Sequence, residues 1–152
     1  MAKSTELMTA AYIAAFVGSR DPARVNTGTI ARMVEVHPTR VRRIVSKLVK
    51  AGILTSSRGG NGGVSLARPA DRTTLADIYD AVQESTVLSL GLHDPFSEWS
   101  GHCFVHDTFE DIYEGLEAKM RGDLARIRLS EMFKPWRPRD ERAETRQSSL
   151  TR

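Results

Sequence analysis

Between Pro38 and Ala51 the chain carries Thr39, Arg40, Arg42, Arg43, Ser46, Lys47 and Lys50, with no acidic residue among them. Guanidinium and ammonium groups along one stretch suit a polyanion, and arginine can grip guanine through two parallel hydrogen bonds. If the stretch is helical, residues near its start reach base edges, while Lys47 and Lys50 are better placed for phosphates. Arg58 and Asn61 lie in the run Arg58-Gly59-Gly60-Asn61-Gly62-Gly63 and suit entry into a narrow minor groove. A second cluster holds His93, His102, Cys103, His106 and Asp107. Cys103 is the candidate for thiol sensing. His102, Cys103 and His106 are weak candidates for a mixed metal site, since imidazole and thiolate suit zinc or iron but the spacing specifies neither. Cys103 beside His102 is no dyad by adjacency alone. No constellation of nucleophile, acid and base emerges, so no catalytic residue and no enzyme are expected.

These side chains need elements to hold them. Leu7, Met8, Ala11, Tyr12, Ala15 and Phe16 recur at helical spacing, predicting a helix over 5–18 with that stripe buried. Thr27 or Thr29 is expected to cap a second helix with Ile30, Ala31 and Val34 inward. His37-Pro38 opens a third, since proline is tolerated in a first turn. Its apolar residues Val41, Ile44, Val45, Leu48 and Val49 form one continuous core face opposite the basic residues, and Gly52 ends it. Ile53–Ser56 and Val64–Ala67 read as strands about a glycine-rich tip. A strand after those glycines argues against a phosphate-cradling nucleotide loop, which requires a helix there. Thr73 or Thr74 caps a fourth helix bearing Leu75, Ile78, Ala81 and Val82.

The expected class is mainly α with a small β-hairpin: a winged helix-turn-helix plus a long dimerisation helix. Residues 1–84 form the DNA-binding domain, 85–104 a loop and sensor segment, 105–133 the dimerisation helix, and 134–152 a disordered tail. Phe109, Ile112, Leu116, Met120, Leu124 and Ile127 hold one stripe along the long helix. About 27 residues at 1.5 Å each span roughly 40 Å, more than so small a domain covers alone. A second copy related by a twofold axis is the expected partner.

Charge divides the chain in the same way. Residues 1–72 hold twelve Lys/Arg against four Asp/Glu, residues 73–133 hold four against twelve, and 134–152 hold six against three. The overall +3 therefore hides a basic half that suits double-stranded DNA and an acidic half with another task. The 152 residues are 40% apolar and 27% charged, enough for one buried core and too mixed for a membrane span. Glu6 interrupts the apolar N-terminus, which reads as a helix of a cytoplasmic protein rather than a signal peptide. The single cysteine excludes an internal disulfide framework and an all-cysteine metal site within one subunit.

The third helix ending Leu48-Val49-Lys50-Ala51-Gly52-Ile53-Leu54, the wing Arg58–Ala67 and the run Thr74-Leu75-Ala76-Asp77-Ile78-Tyr79-Asp80-Ala81-Val82 resemble the Rrf-two family of bacterial winged-helix transcription regulators. The resemblance covers about residues 1–133. It implies a homodimer on a palindromic operator, usually acting as a repressor. Cluster-binding members place three cysteines in the region of Cys103; this chain has one, which argues against an iron–sulfur cluster and leaves no cofactor expected. Two readings of the signal stay open. One is a redox response at Cys103; the other is a small-molecule effector or partner protein with no thiol chemistry.

Overall fold

The computed structural model describes residues 3–60, 62–83 and 104–133. In chain order these form α1 (Lys3–Gly18), α2 (Thr27–Met33), α3 (Pro38–Lys50), β1 (Leu54–Ser57), β2 (Gly63–Leu66), a 3-10 turn (Ala70–Arg72), α4 (Leu75–Val82), α5 (Phe104–Ala125) and α6 (Leu129–Met132). Three helices followed by an antiparallel hairpin make a winged helix-turn-helix, as expected. Each strand lies one residue from its expected bounds, with Leu54 opposite Leu66 and Ser57 opposite Gly63.

Local chemistry sets the ends of α3. His37 Nδ1 accepts from the Thr39 amide at 3.3 Å, and Pro38 occupies the first turn. At the other end the Ile53 amide bonds the Leu48 carbonyl and the Gly52 amide bonds that of Val49, with Gly52 at φ +69°. This double closure satisfies two orphan carbonyls and needs a residue at ease in the left-handed region. α2 begins differently from expectation. Its cap is Asn26, whose Oδ1 accepts from the Thr29 amide at 2.8 Å, while Thr27 is already inside the helix. Thr74 caps α4 in a reciprocal pair: its hydroxyl accepts from the Asp77 amide, and its own amide donates to Asp77 Oδ2.

The core joins α1, α2, α3, α4, the hairpin and α6. Ile13, Ile30, Ile44, Leu48, Ile78 and Leu129 are fully buried within it. Only part of the expected stripe of α1 faces this core: Ala11 is buried, and Leu7, Ala15 and Phe16 are partly buried against it. Ala10, Ile13, Ala14 and Val17 point inward, whereas Met8 and Tyr12 are 53% and 61% exposed. α1 is apolar on nearly every side, so its periodicity names a helix without naming the buried face.

The wing is anchored to the domain through Val25, which exchanges backbone hydrogen bonds with Val64 at 2.9 and 2.8 Å. A side chain at Gly62 would meet the Ser57 and Gly59 carbonyls at 2.5 and 2.8 Å, so only glycine closes this tip.

The long helix is shorter than expected. α5 ends at Ala125, and Ile127 lies outside it. The Leu75 amide bonds the Ile127 carbonyl at 2.9 Å and the Leu129 amide bonds the Thr73 carbonyl at 2.7 Å. These pairings with the start of α4 draw residues 126–128 out of helical geometry. α6 then resumes as a separate turn that seats Leu129 in the core. α5 lies against α4 through Tyr79, whose hydroxyl donates to Glu117 at 2.9 Å, and through an ion pair between Arg121 and Asp80. No helix among the described residues is long and apolar enough to cross a membrane.

Candidate nucleic-acid interface

α3 divides cleanly into two faces. Val41, Ile44, Val45 and Leu48 are buried, while Thr39, Arg42, Arg43, Ser46 and Lys50 are exposed and Arg40 is half-buried. The burial of the first set fixes the outward direction of the second. Each fully buried aliphatic side chain contributes about 1.5–3 kcal/mol relative to exposure, so the helix resists rotation about its axis. The result is an exposed basic face on α3, with the hairpin packed beside the helix. Arg58, at the end of β1, is exposed on the wing. Asn61, the other wing residue expected to meet DNA, lies outside the described residues.

Arg24 was not singled out by the sequence. It sits just before Val25, and its guanidinium donates to the Ser57 hydroxyl of β1. The Val25–Val64 pairing carries it to the wing, a juxtaposition across more than thirty residues that no local pattern announces. Glu6 was missed as well. Its Oε1 accepts from Lys47 Nζ at 2.9 Å and from Arg43 at 3.3 Å. Lys47, expected to meet phosphate, is thus turned inward, with only 15% of its side chain exposed against 63% for Arg43.

The apolar stripe expected along the long helix divides in burial. Phe109, Ile112 and Leu116 are exposed on α5, Met120 and Leu124 are half-buried, and Ile127 is exposed beyond the helix end. The rings of Phe109 and Tyr113 lie 6.0 Å apart, stiffening the start of this stripe. Cys103, His93 and His102 lie outside the described residues, and His106 falls in the first turn of α5.

Residues 3–135 match the Rrf2 family, whose description is iron-dependent transcriptional regulator. At 29% identity over 101 residues the chain is similar to YwgB of Bacillus subtilis, spanning 65% of that relative's length. It is 27% identical to the HTH-type transcriptional regulator IscR of Cereibacter sphaeroides, over 72% of this chain and 70% of that protein. Its fold is similar to that of CymR, the global cysteine regulator of B. subtilis, with TM-score 0.62 at 18% identity, over 88% of this chain and 94% of that one. These relatives are named as regulators, not enzymes.

The iron in the family description can be tested against the donors present. A thiolate-held cluster draws on several cysteines, and this chain supplies one. The donor set does not fit a conventional cluster within one subunit. The family match spans residues 3–135, nearly the whole chain, and by that match the chain belongs to the Rrf2 family of transcriptional regulators.

Proposed function

We propose that this protein represses transcription in the cytoplasm as a homodimer on a palindromic site in double-stranded DNA. One observation carries the reading: the exposed face of α3 bears Thr39, Arg42, Arg43, Ser46 and Lys50 without an acid, beside a wing that exposes Arg58. Such a face fits the major groove, with Arg40 and Arg42 toward base edges and Lys50 toward the backbone. The exposed stripe of Phe109, Ile112 and Leu116 supports the dimer, since apolar side chains in register along one helix face gain by meeting a second copy. Twofold pairing would set two α3 helices about one duplex turn apart. The segments keep the roles expected from the sequence: 1–84 for DNA, 85–104 for the signal and 105–133 for assembly. A gel shift on the DNA upstream of the protein's own gene tests this. Retarded bands that survive excess unrelated duplex are expected, and none at low salt would refute it.

The signal has two readings. Oxidation at Cys103, just before α5, would act on the spacing of the two reading heads. Operator affinity of wild type and Cys103→Ser before and after diamide decides this; equal affinities throughout would leave the thiol without a sensing role. A small-molecule effector is favoured instead by an apolar groove of about 500 Å³ between α1 and α2, lined by Tyr12, Phe16, Met33, Val34 and Phe133. Its volume falls in the range of ligand sites.

A further inference from the structure

We infer that Lys47 is a positioning residue, not a phosphate contact: its ammonium ties the reading helix to α1 and to the last turn of α4, and that tie sets how α3 meets DNA. The inference rests on the DNA-binding reading above. Lys47 Nζ donates to Glu6 Oε1 at 2.9 Å and to the Val82 carbonyl at 3.1 Å. Val82 is the last residue of α4, so its carbonyl is one of the groups a helix leaves without an internal partner. A cation there meets both an orphan acceptor and the negative end of the helix dipole.

The geometry leaves little for DNA. The side chains of Lys47 and Glu6 are only 15% and 18% exposed. A charge drawn in this far is costly unless paired, and swinging it out to a phosphate would give up both the Glu6 contact and the donor to the Val82 carbonyl. Arg43 differs. It shares the same carboxylate at 3.3 Å while 63% of its side chain stays exposed. One carboxylate on α1 therefore holds two basic residues of α3, one inside the fold and one on its rim. Val41, Ile44 and Leu48 fix the roll of α3 about its own axis, and the ammonium adds directional restraint against sliding and tilting. Three elements joined at one ammonium resist both. The link also joins α3 directly to the end of α4, the last described helix before the proposed signal segment 85–104.

The test uses the full chain and two duplexes: the tightest binder that wild type selects from a random-sequence pool, and an unrelated duplex of equal length. Lys47→Met should weaken binding to the selected duplex about tenfold, the scale of one misread base pair. The unrelated duplex should bind within about twofold of wild type, with an unchanged slope against log salt, because every phosphate keeps its cation. Glu6→Ala should also weaken binding to the selected duplex, although it removes a negative charge and on electrostatics alone would tighten it. Equal weakening on both duplexes for Lys47→Met, with a slope smaller by about 0.9, would overturn the inference in favour of a phosphate-binding role. An equal or tighter affinity for the selected duplex in Glu6→Ala would overturn it too, and decides alone if circular dichroism shows Lys47→Met unfolded. Wild type that binds neither duplex would instead refute the DNA-binding reading itself.

Discussion

Leu116→Asp separates assembly from folding. In the single chain Leu116 is 51% exposed, so the substitution leaves the protomer core untouched and costs about 0.5 kcal/mol of helix propensity. Full burial of a leucine is worth about 1.5–3 kcal/mol, and roughly half of that remains to be gained when a second copy covers it. Twofold symmetry counts the change twice, giving about 1.5–3 kcal/mol of forfeited apolar burial per dimer. Two carboxylates brought into the same seam would add a desolvation penalty of several kcal/mol. Even a total of about 4 kcal/mol weakens the dimer nearly a thousandfold. Sedimentation velocity at micromolar protein should therefore show wild type as a dimer and Leu116→Asp as a monomer, with nearly equal melting temperatures extrapolated to low concentration. Operator affinity should fall sharply with the mass, because a lone protomer grips only one half-site. An unchanged sedimentation mass would refute the assignment of this stripe to the dimer.

Ile44→Ala removes a fully buried side chain from the core face of α3 and should cost about 2–5 kcal/mol by urea denaturation, unlike Arg42→Ala on the opposite face, which should cost under about 0.5. Burial opposes the charge of Asp77, but the Thr74 amide and hydroxyl and the Arg68 guanidinium outweigh it and hold its carboxyl below the usual carboxylate range. Its folded pKa being depressed, the stabilisation is present above the unfolded value and is lost as pH falls below about 4. Asp77→Asn should flatten that acid limb in melts taken between about pH 5 and pH 2.5, and an acid limb identical to wild type would show the pairing to be inert.

α3 was legible because two signals agreed there. Val41, Ile44, Val45 and Leu48 repeat at helical spacing while every charge between them is basic, so core face and outer face were both named. His37 and Pro38 marked its start by chemistry that acts within three residues. α1 was legible only as a helix: Met8 and Tyr12 have the spacing of a buried stripe, but Ile13 and Val17 have it too, and tertiary packing chose the latter. The break after Ala125 had no local sign, because it is made by backbone bonds from Thr73 and Leu75, some fifty residues earlier. The reversal of Lys47 is of the same kind. Its partners Glu6 and Val82 lie 41 and 35 residues away, and spacing along α3 gives it the same outward promise as Lys50. Patterns within a helix specify direction; the partner across the fold decides what a long side chain does with it.

If the protein works as proposed, the outer face of α3 lies against duplex DNA. Equilibrium binding of wild type and of the Arg42→Ala, Lys50→Ala double variant, measured on one selected duplex from about 50 to 200 mM salt, addresses that directly. Both residues are exposed and neither supports the core. The double variant should bind at least tenfold more weakly at the low-salt end, with a smaller slope of log affinity against log salt, the slope falling by about 0.9 for each phosphate left without its cation. Equal affinity and equal slope, with the fold intact, would contradict that placement and remove α3 from the interface.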